Sequence, residues 1–154
     1  LLVRRGKQVF PAHDQERPRA GDEITLALFA EEVEAARACH AHGIKVMMGA
    51  PNLIRGGSHS GNVAARELAE LELLDIISSD YVPPALLMSA VKLGEIWGDM
   101  ARGLSTVTQA PADAVELSDR GRIELGKRAD LIRFRLIDNT PALRGTWARG
   151  QRVA

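Results

Sequence analysis

Lys45–Tyr81 reads KVMMGAPNLIRGGSHSGNVAARELAELELLDIISSDY. Two short apolar runs, Lys45–Met48 and Asp75–Ser78, each stop at a polar cluster, and a helix-patterned segment lies between them. Strand, loop, helix, strand is the repeating unit of α/β proteins, whose ligands gather at the carboxyl ends of the strands. The first cluster is built from Gly, Ser, Asn, His and Arg, and the second contains Asp80. The unit therefore reads as a segment of an anion-handling or metal-assisted active site.

Downstream, Tyr81-Val82-Pro83-Pro84 turns the chain into a further helix, Ala85–Trp97, with Leu86, Leu87, Ala90, Val91, Leu93 and Trp97 as its apolar set. Pro84 suits a first helical position. Short helices are expected near Ser105–Gln109 and over Ala112–Val115. Upstream, Phe29, Val33, Ala36 and His40 recur at helical spacing over Thr25–His42, with Gly43 as the C-terminal cap and Thr25 as a candidate N-cap. Gln8–Ala12 reads as a strand ending at His13-Asp14, before a charged loop, Gln15–Glu23. Asn62 or Ser60 is positioned to cap the helix that follows the Gly/Ser cluster. After Asp119 the pattern changes. Arg120–Leu125 and Ala129–Ile137 look like short strands, and Leu143–Ala148 with Gln151–Ala154 looks like a hairpin across Arg149-Gly150. Three β/α units leave an exposed sheet edge, which a complete barrel or a partner would cover.

The chain has 154 residues, enough for one domain with an ordinary core and too few for an eight-unit barrel of roughly 250 residues. Apolar residues at 45% and charged residues at 26% describe a soluble globular protein. A formal charge of zero supplies no global field toward nucleic acid or an acidic membrane, so neither is expected as a partner. The one cysteine, Cys39, excludes an intrachain disulfide and a cysteine-rich zinc site. No stretch has the apolar length of a membrane span or signal-peptide core, so a cytoplasmic location is expected. The sequence begins at Leu1 rather than Met, which reads as a piece of a longer protein.

Arg55-Gly56-Gly57-Ser58-His59-Ser60-Gly61-Asn62 lies between a strand and a helix. Glycines let backbone N–H groups converge on an anion, Ser58, Ser60 and a helix N-terminus add donors, and Arg55 suits a bidentate phosphate contact. The cluster is neither a P-loop nor a dinucleotide fingerprint, and an ordinary Gly/Ser loop with a helix cap is the plain alternative. His59 could donate to phosphate or relay a proton. Asp80, at the end of its strand, could hold a divalent metal and accept a proton from water, or simply cap the next helix. His13 closes an earlier strand in the same manner. Two such ligands do not complete a catalytic zinc site, which takes three protein ligands plus water. His40 and His42 sit near a helix C-terminus, where they favour the dipole.

Gly49-Ala50-Pro51-Asn52-Leu53-Ile54-Arg55-Gly56-Gly57-Ser58-His59-Ser60-Gly61-Asn62-Val63-Ala64-Ala65, followed by Leu73–Tyr81, resembles the carboxyl-terminal part of the phosphonate-metabolism diphosphatases of the amidohydrolase superfamily, the PhnM family. Gly121–Ile132 resembles the return of such a chain into a small β-sandwich. The resemblance implies an α/β fold, the carboxyl-terminal portion of a metal-dependent (β/α)8 barrel plus strands of that sandwich. It divides the chain into a partial barrel at 1–118, about strands six to eight, and a partial sandwich at 119–154. Asp80 would be the strand-eight aspartate, a metal ligand and proton acceptor, and His13 the strand-six metal-ligating histidine. Arg55, Gly56, Gly57, Ser58, His59, Ser60 and Asn62 would hold substrate.

The implied cofactor is a divalent metal, zinc first, with manganese or another divalent ion as the alternative. The implied reaction cleaves the α–β phosphoanhydride of α-D-ribose 1-methylphosphonate 5-triphosphate, releasing pyrophosphate. The implied partners are that small-molecule triphosphate and either a second copy of the chain or an amino-terminal segment. The fragment alone is expected to be inactive, because the strand-one, strand-four and strand-five ligands are not in it. Two other functions stay open: another amidohydrolase of the phosphosugar deacetylase type, and a non-catalytic phosphate-binding α/β module.

Overall fold

The computed structural model describes residues 33–57 and 63–154 in full, and the backbone of three short strands before them. Those strands, β1 (Leu2–Arg5), β2 (Gln8–Pro11) and β3 (Glu23–Thr25), form an antiparallel sheet in the order β2-β1-β3. The strand expected at Gln8–Ala12 is present, but it pairs antiparallel with β1 rather than joining the parallel strands as a barrel strand would. Thr25 also departs from expectation. It pairs with Leu2 within β3, and the first described helix, α1 (Val33–Ala41), starts well after it. Thr25 is therefore not an N-cap, and residues 26–32 lie outside the described residues.

The two apolar runs that decide the fold become β4 (Met47–Gly49) and β5 (Ile76–Ser78), paired in parallel with Met47 opposite Ile76 and Gly49 opposite Ser78. Both strands are largely buried, as the continuous apolar runs of a helix-covered parallel sheet require. Val46, at the entry to β4, accepts from the N–H groups of Asp75 and Ile76 at 3.0 and 3.1 Å. The next N–H along, that of Ile77, donates to Thr106 O at 3.1 Å. A helix-connecting turn thus covers part of the edge that sequence alone left open. No closed barrel forms among the described residues.

Helices α2 (Ala50–Arg55), α3 (Ala65–Glu70), α4 (Ala85–Trp97), α5 (Met100–Ser105) and α6 (Gln109–Ala114) surround this pair. Leu53, Leu68, Leu93, Val46 and Val91 are the largest fully buried apolar side chains. Each contributes roughly 1.5–3 kcal/mol by leaving water. The α4–α5 crossing is closest at Gly103, where an added Cβ would stand 2.4 Å from both Ala90 O and Gly94 N. Trp97 donates its indole N–H to Ala69 O at 2.8 Å, tying α4 to α3, and the Arg102 guanidinium stacks 4.2 Å from the Trp97 ring.

The short helices differ from the expected ones. α5 starts at Met100 because the Asp99 side chain caps it, accepting from Arg102 N–H at 3.0 Å. Pro111 does not follow a helix but sits in the first turn of α6, where an N–H has no intrahelical partner to lose. Beyond α6, β6 (Leu131–Ile137), β7 (Thr140–Ala148) and β8 (Gln151–Arg152) form an antiparallel sheet. The turn at Arg149-Gly150 is as expected, with positive φ at both residues. Arg120–Leu125 is not a strand. It runs through turns and irregular chain, with Ile123 90% and Leu125 100% exposed.

Candidate functional site

Parallel pairing with Gly49 opposite Ser78 brings the carboxyl ends of β4 and β5 to one rim, and the site residues follow from those two ends. Asp80 lies just beyond β5 with φ +52°, the left-handed conformation that Asp tolerates better than most side chains. Its N–H donates to Ser78 Oγ at 3.1 Å, which holds that turn. Its carboxylate is exposed and sits directly over Gly49: a Cβ added to Gly49 would lie 2.8 Å from Asp80 Oδ2.

From the other strand end, α2 begins at once, with Gly49 as N-cap and proline in its first turn. The stretch after β4 is thus a helix as far as Arg55, an element the sequence reading did not place. Gly56, with φ +84°, caps the end of α2. The N–H groups of Gly56 and Gly57 both donate to Asn52 O, at 3.2 and 3.1 Å. These two amides close a helix C-terminus, so they do not converge on an anion as the Gly-rich spacing had implied. Arg55 stands at that C-terminus, where a cation complements the dipole, and its guanidinium lies 5.6 Å from the centre of the Tyr81 ring. Tyr81 follows Asp80, so Arg55, Tyr81 and Asp80 share the rim.

Ser58, His59, Ser60, Asn62 and the proposed ligand His13 lie outside the described residues. The N-cap position of α3 falls at Ala64 rather than at Ser60 or Asn62. Asn52 supplies a cap from a distance. Its Oδ1 accepts from Ala65 N–H at 2.8 Å and its Nδ2 donates to Val63 O at 3.4 Å, so its side-chain amide ties α2 to the chain that follows the Gly/Ser stretch. Two further residues went unread. Ser89 Oγ donates to Ala50 O at 3.4 Å and Lys92 Nζ to Leu53 O at 3.1 Å, fixing α2 against α4. A Ser and a Lys on an apolar helix were the available signal.

The amino-terminal side of the same strand pair carries a second carboxylate. Asp75 accepts from His40 Nε2 at 2.7 Å, Lys45 Nζ at 2.8 Å and Val46 N–H at 2.9 Å. Burial pushes its carboxyl up, but the Lys45 ammonium, the Val46 amide and His40 together outweigh that and hold it below the usual carboxylate range. His40 stands in the last turn of α1, as expected, and also ties α1 to the start of β5.

A divalent ion fits this rim as far as one ligand. Asp80 is exposed, with its Oδ2 lying over Gly49, and no ion pair among the described residues engages its carboxylate. No group of three His, Cys, Asp or Glu side chains that could hold a metal forms among the described residues. No helix among them is long and apolar enough to cross a membrane.

A parallel strand pair wrapped by helices, with an acidic residue at its carboxyl rim and an antiparallel sheet after it, has the fold of part of an amidohydrolase. An amidohydrolase from Thermotoga maritima MSB8 matches it with a TM-score of 0.61 at 20% identity, covering 79% of this chain and 34% of that one. The sequence is more specific. Over 145 residues, 92% of its length, it is 47% identical to the alpha-D-ribose 1-methylphosphonate 5-triphosphate diphosphatase of Escherichia coli (strain K12), and it spans 38% of that protein. The chain is therefore a relative of part of that diphosphatase, as its motifs indicated. No protein-family model matches it.

Proposed function

We propose that this chain is part of a metal-dependent hydrolase of phosphonate catabolism that cleaves the α–β phosphoanhydride of α-D-ribose 1-methylphosphonate 5-triphosphate. Water adds across that anhydride, pyrophosphate leaves, and the sugar keeps a 5-phosphate. The observation that carries this proposal is the 47% identity over 145 residues to a diphosphatase of that name. Residues 1–118 would belong to the barrel of such an enzyme and 119–154 to its sandwich, in a cytoplasmic protein.

Asp80 is the residue of this chain suited to the reacting end. Its exposed carboxylate can ligate a divalent ion, zinc or manganese, and take the proton from the attacking water; His13, expected as a second ligand, follows a strand that pairs antiparallel with β1 and not with the rim strands. Such an ion, when bound, lowers the pKa of water and neutralises charge on the phosphoryl group. Arg55 offers a guanidinium to the phosphates, with Tyr81 beneath it. Ser58, His59, Ser60 and Asn62 complete the phosphate-holding stretch in this proposal.

The test is pyrophosphate release by the protein expressed from its complete gene, assayed on the triphosphate with each divalent ion in turn. Asp80→Asn should lower turnover by at least roughly 10²-fold, since it removes both a ligand charge and a proton acceptor. Turnover close to that of the parent protein, at full metal content, would reduce Asp80 to a structural turn residue.

A further inference from the structure

Gly49 ends β4 with φ −77° and ψ 135°, ordinary extended backbone that any residue adopts. Glycine in a buried strand end gives up packing and backbone entropy, so its presence needs another cause. Space supplies one. A Cβ built there would stand 2.8 Å from Asp80 Oδ2, 3.3 Å from Asp80 Cβ and 3.4 Å from Asp80 Cγ, so all three of its nearest atoms belong to that one side chain.

We infer that Gly49 is a positioning residue that reserves the place of the Asp80 carboxylate over the end of β4. Ser78, its partner across the strand pair, fixes the same residue from the other side by accepting the Asp80 N–H at 3.1 Å. The two strand ends thus locate the carboxylate jointly, one through its backbone and one through an absent side chain. This rests on the role assigned above to Asp80.

Gly49→Ala tests it in the protein expressed from the complete gene. The atoms in the way are the movable end of a side chain, so a methyl group should rotate the carboxylate aside while the core around Val46 and Leu53 stays packed. Thermal unfolding should therefore stay within about 4 °C of the parent protein. Turnover should fall at least about 10-fold, toward the roughly 10²-fold loss that a displacement near 1 Å can cause.

In an Asp80→Gly background, which suits the positive φ and removes the side chain, adding Gly49→Ala should cost less than about twofold more, because coupled residues are not additive. A crystal structure of Gly49→Ala with the carboxylate rotated off β4 supports the inference. An unmoved carboxylate, or losses that multiply in the double variant, overturns it. Should Gly49→Ala fail to fold, recovery of folding by Gly49→Ala/Asp80→Gly supports the clash, and failure of both overturns it. Normal turnover by Asp80→Asn would remove the catalytic role of Asp80, whereas the crystal structure still decides whether Gly49 sets its position.

Discussion

Replacing Asp75 by alanine removes the acceptor shared by three donors at the amino end of β5, and the structure sets the size of the effect. The lost bonds are 2.7 Å to His40 Nε2, 2.8 Å to Lys45 Nζ and 2.9 Å to Val46 N–H, around a side chain only 14% exposed. Lys45 is 59% exposed and regains water almost fully, so its loss contributes little. His40, at 30% exposure, recovers part of its solvation. The Val46 amide belongs to a fully buried residue and is left without an acceptor, which costs about 1–3 kcal/mol. The sum is about 3 kcal/mol, or about 6–12 °C in Tm for a domain of 150–250 residues.

Asp75→Asn keeps an oxygen for Val46 and should lose less than half as much. Acid titration adds a sign. A carboxyl held below its ordinary value contributes stability that is present above the unfolded pKa of about 3.9 and is lost as pH falls through the lower folded value. Asp75→Asn should lack that part of the acid transition. Thermal melts of the complete protein between neutral pH and pH 3, with turnover measured well below Tm, separate the effects. Asp75 lies at the opposite end of the strand from the rim, so turnover should hold. A Tm loss under about 2 °C for Asp75→Ala, or a turnover loss as large as that of Asp80→Asn, would refute the assignment of this cluster to stability.

Gly103→Ala drives a Cβ to 2.4 Å from Ala90 O and Gly94 N, backbone atoms that cannot swing aside, and should cost about 1–3 kcal/mol in thermal unfolding. A melt unchanged by it would mean that α4 and α5 are not packed backbone to backbone. Arg55→Ala should raise KM for the triphosphate at least about 10-fold without weakening metal binding, a split readable by steady-state kinetics beside metal titration. Tyr81→Ala should follow it more weakly through the loss of the ring beneath the guanidinium, at about 0.5–1 kcal/mol for an exposed pair. An unchanged KM in Arg55→Ala would remove this side chain from the phosphate contact.

The strand pair and helix α4 were legible because their signals are local and strong. A buried parallel strand is a short apolar run between breakers, and α4 repeats its apolar residues at helical spacing over thirteen positions. The helix Ala50–Arg55 was hidden by the glycines and serines after it, although Pro51 near a helix start was the signal present. Arg122-Ile123-Glu124-Leu125 alternates as a strand should, yet it has no partner strand among the described residues, and alternation without a partner makes no sheet. The Asp138-Asn139 turn joining β6 to β7, with φ +48° and +59°, was missed, although Asp and Asn favour positive φ in two-residue hairpins. Asp80 was singled out at a strand end and Arg55 within the Gly/Ser cluster, and the fold brings the two to one rim. The cap from Asn52 to Ala65 and the space reserved by Gly49 were not legible, because both depend on residues brought together only by the fold.

The two carboxylates flanking β5 argue together for where the chemistry lies. Asp75 has its charge met by a lysine, a histidine and an amide, in a position that ties α1 to the sheet. Asp80 stands in left-handed backbone with its carboxylate exposed, and among the described residues only its own N–H is bonded. Folding alone would favour the reverse at each cost: a glycine at the positive φ of Asp80, and a packed side chain in place of Gly49. Local choices that oppose stability persist where they serve a site. That both such choices concern one carboxylate, at the strand end where α/β proteins gather their ligands, sets the rim apart from the stabilised end opposite.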